Sequence, residues 1–233
     1  MAGKEITIAL TGNPNSGKTT VFNNLTGTHQ QVGNWPGVTV EKKEGRHNCQ
    51  GYCIRVVDLP GVYSLTAYAP DEVIARSFVV DEKPDAVVNV VDASNLERNL
   101  YLTVQLLEMG APLIIALNMT DMAEAKGHII NIAALTQETG APVVPMVASR
   151  NQGIDKLIQE IIRVAEGHTK GNHFKLFYGE EIENEIAGLE ETIADSRLAE
   201  RYPTRWLAIK LLEEDAEIIK KFQGVEACPT KKS

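Results

Sequence analysis

The chain has 233 residues, 43% of them hydrophobic and 23% charged, and a formal net charge of −8. That length supports one sizeable domain with an appendage, or two small domains. The acidic balance argues against a nucleic-acid surface, and no apolar run approaches the ~20 residues that would span a bilayer.

The first residues, Met1 to Glu5, lack the apolar core of a signal peptide. Ile6 to Thr11 then reads as a buried strand. It runs into Gly12-Asn13-Pro14-Asn15-Ser16-Gly17-Lys18-Thr19, which fits G-x-x-x-x-G-K-[ST]. Two glycines let the backbone wrap tightly enough for consecutive N–H groups to point at a phosphate. The Lys18 ammonium can bridge β- and γ-phosphates, and the Thr19 hydroxyl can ligate Mg2+. Thr19 to Leu25 continues as a helix with apolar Val21, Phe22 and Leu25. Strand, loop and helix is the order that sets a phosphate on a helix N-terminus.

Thr28 to Val38 is rich in glycine and amides, which predicts an irregular loop. Thr39 to Gly45 is expected as an edge strand and Tyr52 to Val57 as its hairpin partner. Cys49 and Cys53 flank the turn at Gln50-Gly51. With Cys228 they make a sparse, odd set that suits a reducing cytoplasm, and no second Cys or His pair stands at zinc-site spacing. The second strand ends in Asp58-Leu59-Pro60-Gly61, a D-x-x-G. Its carboxylate can hold Mg2+ through water, and the Gly61 N–H can meet a γ-phosphate. A plain strand-ending turn is the alternative reading.

A helix is expected from Pro70 to about Val80, with Asp71 and Glu72 complementing its dipole. Ala86 to Asp92 is apolar throughout, as in the middle of a parallel sheet. Ser94-Asn95-Leu96-Glu97 fits a capping box opening the next helix, with Leu100, Val104 and Leu107 on one face. Pro112 to Leu117 is a further buried strand, ending in Asn118-Met119-Thr120-Asp121. This fits [NT]-K-x-D with Met119 in place of lysine. The Asp121 carboxylate can accept from guanine N1–H and its 2-amino group, a donor pair adenine lacks. Asp also caps helices well, which is the competing explanation.

A helix around Ile132 to Thr139 and a strand from Pro142 to Val147 follow. Ala148-Ser149-Arg150 stands where a backbone N–H can approach guanine O6. Ile154, Leu157, Ile158, Ile161, Ile162 and Ala165 form a helical stripe. Together these predict an α/β unit of the P-loop GTPase fold over residues 1–167, a six-stranded, mostly parallel sheet with five helices. Residues 168–233 are expected to form a small all-α domain. It begins with a polar linker to Lys175. One helix carries Ile182, Ile186, Leu189 and Ile193, and a second starts near Pro203 with Trp206, Ile209 and Ile218. A tail from Gln223 onward is expected to lack order. These helices are too few for an independent core and are expected to pack on the nucleotide-binding domain.

The Gly12–Thr19 loop, the Gly33-Asn34-Trp35-Pro36-Gly37-Val38-Thr39-Val40-Glu41 segment, Asp58 to Ser64, and Asn89 to Leu100 together resemble FeoB, the prokaryotic ferrous-iron transport proteins B. The resemblance implies a GTPase domain and a helical domain at the cytoplasmic face of the cell membrane, fused to or associated with a polytopic iron-permease domain. The present chain itself is expected to be soluble. The resemblance implies guanine nucleotide as ligand and is compatible with a homo-oligomer. It gives Gly12, Asn13, Asn15, Lys18 and Ser16 to Thr20 to the phosphates, and Asn118, Met119, Asp121, Ala148 and Ser149 to the base. Thr19, Thr39 and Asp58 serve Mg2+, with Thr39 engaged only when its loop closes over GTP. Gly61 contacts the γ-phosphate. Related potassium-activated enzymes use an asparagine at the position of Asn15, and Gly33 and Trp35 could then add backbone carbonyls to a K+ site. Many GTPases carry a water-orienting Gln after D-x-x-G. Here the residue is Val62, so slow intrinsic turnover is expected, with catalysis resting on Lys18, Thr39, Gly61 and Asn15. The rival reading is a translation-linked GTPase, acting in ribosome assembly or tRNA modification. Such proteins need a basic or KH-like appendage, whereas the C-terminal part here is rich in Glu.

Overall fold

The computed structural model describes residues 4–27, 30–66, 68–168 and 174–226. The chain divides into two units, one of residues 1–107 and 111–174, the other of residues 108–110 and 175–233.

The first unit is built on a sheet of strands β1 (Lys4–Gly12), β2 (Gln30–Asn34), β3 (Glu41–Cys49), β4 (Tyr52–Asp58), β5 (Ala86–Asp92), β6 (Leu113–Asn118) and β7 (Val143–Pro145). Their order is β2-β3-β4-β1-β5-β6-β7. The β2/β3 and β3/β4 pairs are antiparallel and the others parallel. Parallel neighbours need crossovers, so α-helices cover the sheet, and β6 is buried along its whole length. Helices α1 (Lys18–Thr26) and α6 (Ile154–Ala165) cover one face. Phe22 and Leu25 of the first and Leu157, Ile158 and Ile161 of the second meet Ile8, Leu10, Val88, Val90 and Ile114 in one buried cluster. Burying each such side chain contributes roughly 1.5–3 kcal/mol, which explains why the stripe read from residues 154–165 forms a helix on this face.

The register sets the functional edge. Leu10 pairs with Asp58, Gly12 with Val90, and Asp92 with Asn118. The carboxyl ends of β1, β4, β5 and β6 therefore open at one rim. The chain leaves β1 toward β4 on one side and later returns to β5 on the other, and such a reversal leaves a crevice at the strand ends.

Several expectations need correction, among them that of an edge strand over residues 39–45, since β3 lies between β2 and β4. The sheet has seven strands among the described residues, because Gln30–Asn34 pairs with β3. That segment has no apolar alternation, since both of its faces are exposed. Its strand form comes from pairing with β3 and leaves no mark in its own sequence; Thr28 and His29 lie outside the described residues. The helix before β6, α3 (Leu96–Glu108), is not opened by a Ser94 box. A short 3-10 turn over Ala93–Asn95 precedes it, and Asp92 is the cap, its Oδ1 accepting from Ser94 N at 2.8 Å. Helix α2 (Pro70–Ser77) passes into a π-helical turn, Phe78–Glu82. A short helix α4 (Thr120–Ala125) follows β6, ahead of α5 (Ile132–Thr139), so the unit holds more than the five expected helices.

The second unit contains α7 (Glu180–Ile193), α8 (Thr204–Leu212) and α9 (Ala216–Glu226). Trp206 and Ile218, read as one helix, lie on two, separated at Glu214, whose φ is 55°. Helix α9 runs through Gln223 to Glu226, past the expected start of disorder, and residues 227–233 lie outside the described part. Trp206, Leu207, Ile186 and Ile218 are buried. Arg205 clamps Glu183 through two hydrogen bonds of 2.9 and 2.7 Å. No helix among the described residues is long and apolar enough to cross a membrane.

Candidate nucleotide-binding site

The Gly12–Thr19 loop joins β1 to α1, as strand-loop-helix reading requires. Two of its glycines are fixed by close neighbours. A Cβ on Gly12 would lie 2.6 Å from the Val90 carbonyl oxygen, and one on Gly17 would lie 2.2 Å from Asn118 Nδ2. Gly17 and Asn15 both take left-handed backbone, at φ 89° and 66°; a short polar Asn tolerates that region better than most residues. Asn15 and Thr19 are exposed to an incoming ligand, and Thr20 is half-buried beside them. Asn13 and Ser16 are buried, and Asn13 Oδ1 and Ser16 Oγ have no hydrogen-bond partner. Unpaired oxygens of this kind, at a loop meant for phosphate, mark a polar cradle.

Lys18 Nζ lies 2.5 Å from Asp58 Oδ1, across the β1/β4 rim. Burial pushes the Asp58 carboxyl above its usual range, and Lys18 offsets only part of that. Each is the counter-ion of the other here. The D-x-x-G segment is strapped to the loop: Leu59 N donates to Leu10 O at 2.9 Å, and Val62 N to Gly12 O at 3.3 Å. Gly61 lies against Pro14. Val62 is buried.

The Asn118–Ala148 end of the candidate site is held by Asn118. This side chain is buried, donates from Nδ2 to Ser16 O at 2.9 Å, and accepts from Ala148 N at Oδ1, also at 2.9 Å. One amide thus ties the phosphate loop to the Ala148 turn. Ala148 N–H is bonded to Asn118 in this conformation, while Ser149, next in the turn, is exposed. Met119 has φ 61°, and its methyl group lies near Gly17. Asp121 Oδ2 lies 3.4 Å from an Arg150 guanidinium nitrogen.

The first switch segment is elsewhere. Gly33 pairs with Lys42 in the β2/β3 ladder. β2 stands three strands from β1 in the sheet. Trp35 N donates to Val40 O, and Trp35 O accepts from Val38 N. Thr39 is exposed. Lys43 is the register partner of Asp58, so Thr39 lies farther along, past the end of β4. In this conformation Gly33 is held in the β2/β3 ladder and Trp35 in the connection between those strands.

The contacts of three residues near the site escaped sequence reasoning. Glu72 is more than a dipole partner: its carboxylate accepts from Ser64 Oγ (2.8 Å), Thr66 Oγ1 (3.2 Å) and Tyr68 N (3.0 Å). Burial works to raise its pKa, but these hydrogen bonds outweigh that and hold the carboxyl below its ordinary value. It clasps the loop that follows Gly61. Arg98 stacks its guanidinium 4.0 Å from the Tyr63 ring centre, while its carbonyl faces Asn13 Nδ2. Arg150 touches Asp121 as described. The Ser64-to-Glu72 spacing carries no motif, and the Arg contacts bridge separate elements, so the sequence held no signal for them. Cys49 and Cys53 are unpaired, and their register partners Tyr52 and Asn48 place them on opposite faces of the hairpin.

Fold and site together define a P-loop protein of the GTPase class, with a helical appendage. The chain belongs to the ferrous iron transport protein B family: the model of that family matches residues 6–161, and the model of the FeoB cytosolic helical domain matches residues 178–232. The Fe(2+) transporter FeoB of Escherichia coli K12 is 48% identical over 217 residues, which are 91% of this chain and 27% of that protein. A Fe(2+) transport protein A/Fe(2+) transporter FeoB fusion protein of Porphyromonas gingivalis is 47% identical over 220 residues, 93% of this chain and 26% of its own length. The chain thus spans about a quarter of the length of these relatives. Among solved structures, the cytosolic domain of the T. maritima FeoB iron transporter in a GDP form superposes with a TM-score of 0.90 at 39% identity, covering 98% of this chain and 89% of that one. Its GMPPNP form gives 0.88 at 38%, covering 98% and 88%. The match runs through both units, which separates the chain from translation-linked GTPases.

Proposed function

We propose that this chain is the GTP-operated cytosolic part of a prokaryotic ferrous-iron transporter. It binds GTP with Mg2+, hydrolyses it slowly to GDP and phosphate, and is accelerated by K+. Its nucleotide state regulates Fe2+ uptake through a membrane-embedded permease, fused or associated, at the cytoplasmic face of the cell membrane.

The observation that carries the cation dependence is the buried, apolar Val62 directly after Gly61. Its side chain can neither donate nor accept, so no side chain at that position orients water. The donor set suits the two metals. The Thr19 hydroxyl and the Asp58 carboxylate are hard oxygen ligands of the kind Mg2+ takes, and Asp58 is already poised at a cationic partner. The exposed Asn15 offers an amide oxygen on the loop itself. When bound, K+ supplies positive charge beside the β–γ bridging oxygen, the role an arginine finger fills elsewhere.

The chain's own residues do the rest by positioning. Phosphate draws Lys18 from Asp58. Backbone N–H groups over Ser16 to Thr20 hold the phosphates, and Gly61 presents its N–H to the γ-phosphate. Thr39 reaches the metal only once its loop leaves the β2/β3 hairpin and closes. Asp121 accepts from guanine, with the Ser149 turn at O6.

The test is phosphate release in K+, Na+ and Li+. K+ is expected to accelerate hydrolysis well above the other two, and Asn15→Ala to abolish that difference while GDP affinity stays nearly intact, because Gly17, Lys18 and Thr19 remain. Hydrolysis indifferent to K+ in the parent, or still stimulated in Asn15→Ala, rules the cation reading out.

A further inference from the structure

Between residues 30 and 44, Trp35 is the one buried side chain, and β2 on its N-terminal side is exposed at every position. A strand at a sheet edge with no buried face is weakly specified, so something other than β2 itself must fix this segment. The Trp35 ring does so. It meets Phe78 edge-on, with ring centres 5.7 Å apart and planes at 75°. Lys42 Nζ covers it from β3, 4.8 Å from the ring centre. Its Nε1–H is buried without an acceptor among the described residues. A buried donor left unpaired weakens the seat relative to one that satisfied it, as suits a ring that has to leave.

We propose that Trp35 is the latch of the first switch loop. Seated against Phe78, the ring keeps Gly33 and Trp35 on the β2/β3 hairpin; its withdrawal releases their backbone to reach the nucleotide. This rests on the GTP-driven closure of that loop set out under the proposed function. The seat also joins the two switch loops. Phe78 opens the π-helical turn that continues α2, and π-turns inside helices recur at functional sites. The first turn of α2 carries Glu72, the clasp on Ser64, Thr66 and Tyr68. A shift of α2 therefore moves the Trp35 seat and the loop after Gly61 together.

The experiment uses the whole 233-residue chain, whose only tryptophans are Trp35 and Trp206. Trp206→Phe leaves Trp35 as the sole indole, read by acrylamide quenching. With GDP and Mg2+ the ring is expected to be shielded. A non-hydrolysable GTP analogue with Mg2+ and K+ is expected to raise the quenching constant about threefold or more, as for a buried ring brought into water. Phe78→Ala removes the seat without touching the nucleotide site. It is expected to expose Trp35 already with GDP, and to tighten analogue binding roughly 3- to 10-fold by removing the cost of unseating. Phe78→Leu, which keeps the apolar volume, should fall between, and it decides the matter should the alanine variant not fold. Equal shielding of Trp35 with GDP and with the analogue, or quenching unchanged by both Phe78 variants, overturns the latch. Hydrolysis in K+ and Na+ is measured on the same samples. K+ stimulation with Trp35 always shielded defeats the latch alone; Trp35 exposure without K+ stimulation supports the latch and defeats the cation reading.

Discussion

Asn118→Ala is expected to unfold the nucleotide-binding unit at a markedly lower temperature, although the substitution is small. The wild-type amide makes two buried hydrogen bonds of 2.9 Å, one to Ser16 O and one from Ala148 N. Alanine removes the one side chain that pairs both backbone partners at a buried position. An orphaned buried group costs about 1–3 kcal/mol, so the two together cost about 2–6 kcal/mol. For a unit of this size each kcal/mol lowers Tm by roughly 2–4 °C, giving a fall of roughly 4–24 °C. Asn118→Asp keeps the acceptor for Ala148 but sets an oxygen against Ser16 O, so it should fare little better. Thermal unfolding followed by circular dichroism without nucleotide measures the effect, with exposed Asn48→Ala as the control expected to move Tm by less than about 2 °C. GDP affinity by calorimetry should fall in parallel, since the phosphate loop and the Ala148 turn lose their common tether. An Asn118→Ala protein that melts within about 2 °C of the parent would refute the reasoning, and with it the claim that this amide joins the two halves of the site.

Two further outcomes are expected. Asp121→Asn should reverse base choice, losing guanine and gaining xanthine, whose O2 can accept from the new amide. A charge-assisted bond is worth about 1.5–3 kcal/mol, so GTP affinity should drop roughly 10- to 150-fold, and unchanged GTP binding in the variant would dismiss Asp121 as the base reader. In the second unit, the Arg205 hydrogen bonds, helped by Tyr178 N, hold the Glu183 carboxyl down from 4.5 to about 2. Because the folded value lies below the unfolded one, this pairing stabilises the unit fully above the ordinary carboxylate range and loses that effect as pH falls through it toward 2. NMR titration should find Glu183 well below the other glutamates, and Arg205→Gln should return it to their range; a Glu183 that titrates with them in the parent would disprove the clamp.

The sequence determined the elements whose physics is local. Glycines at Gly12 and Gly17 are required by neighbours that approach to 2.6 and 2.2 Å of where a Cβ would stand, and the spacing alone exposed them. The continuous apolar runs of β5 and β6 and the stripe on α6 announced buried strands and a covering helix. The tertiary structure decided what depends on partners far along the chain. β2 is a strand only because β3 lies beside it. Ala148 N–H is bonded to the side chain of Asn118, thirty residues earlier in the chain. Lys18 and Asp58, forty residues apart, neutralise each other across a parallel strand pair that no local pattern specifies. Trp35 reads as one more residue of a glycine-rich loop, and only the fold brings Phe78 to its ring. Local propensity and periodicity act over one or two turns of chain, whereas a buried hydrogen bond or ring contact depends on which distant group the folded sheet carries to it.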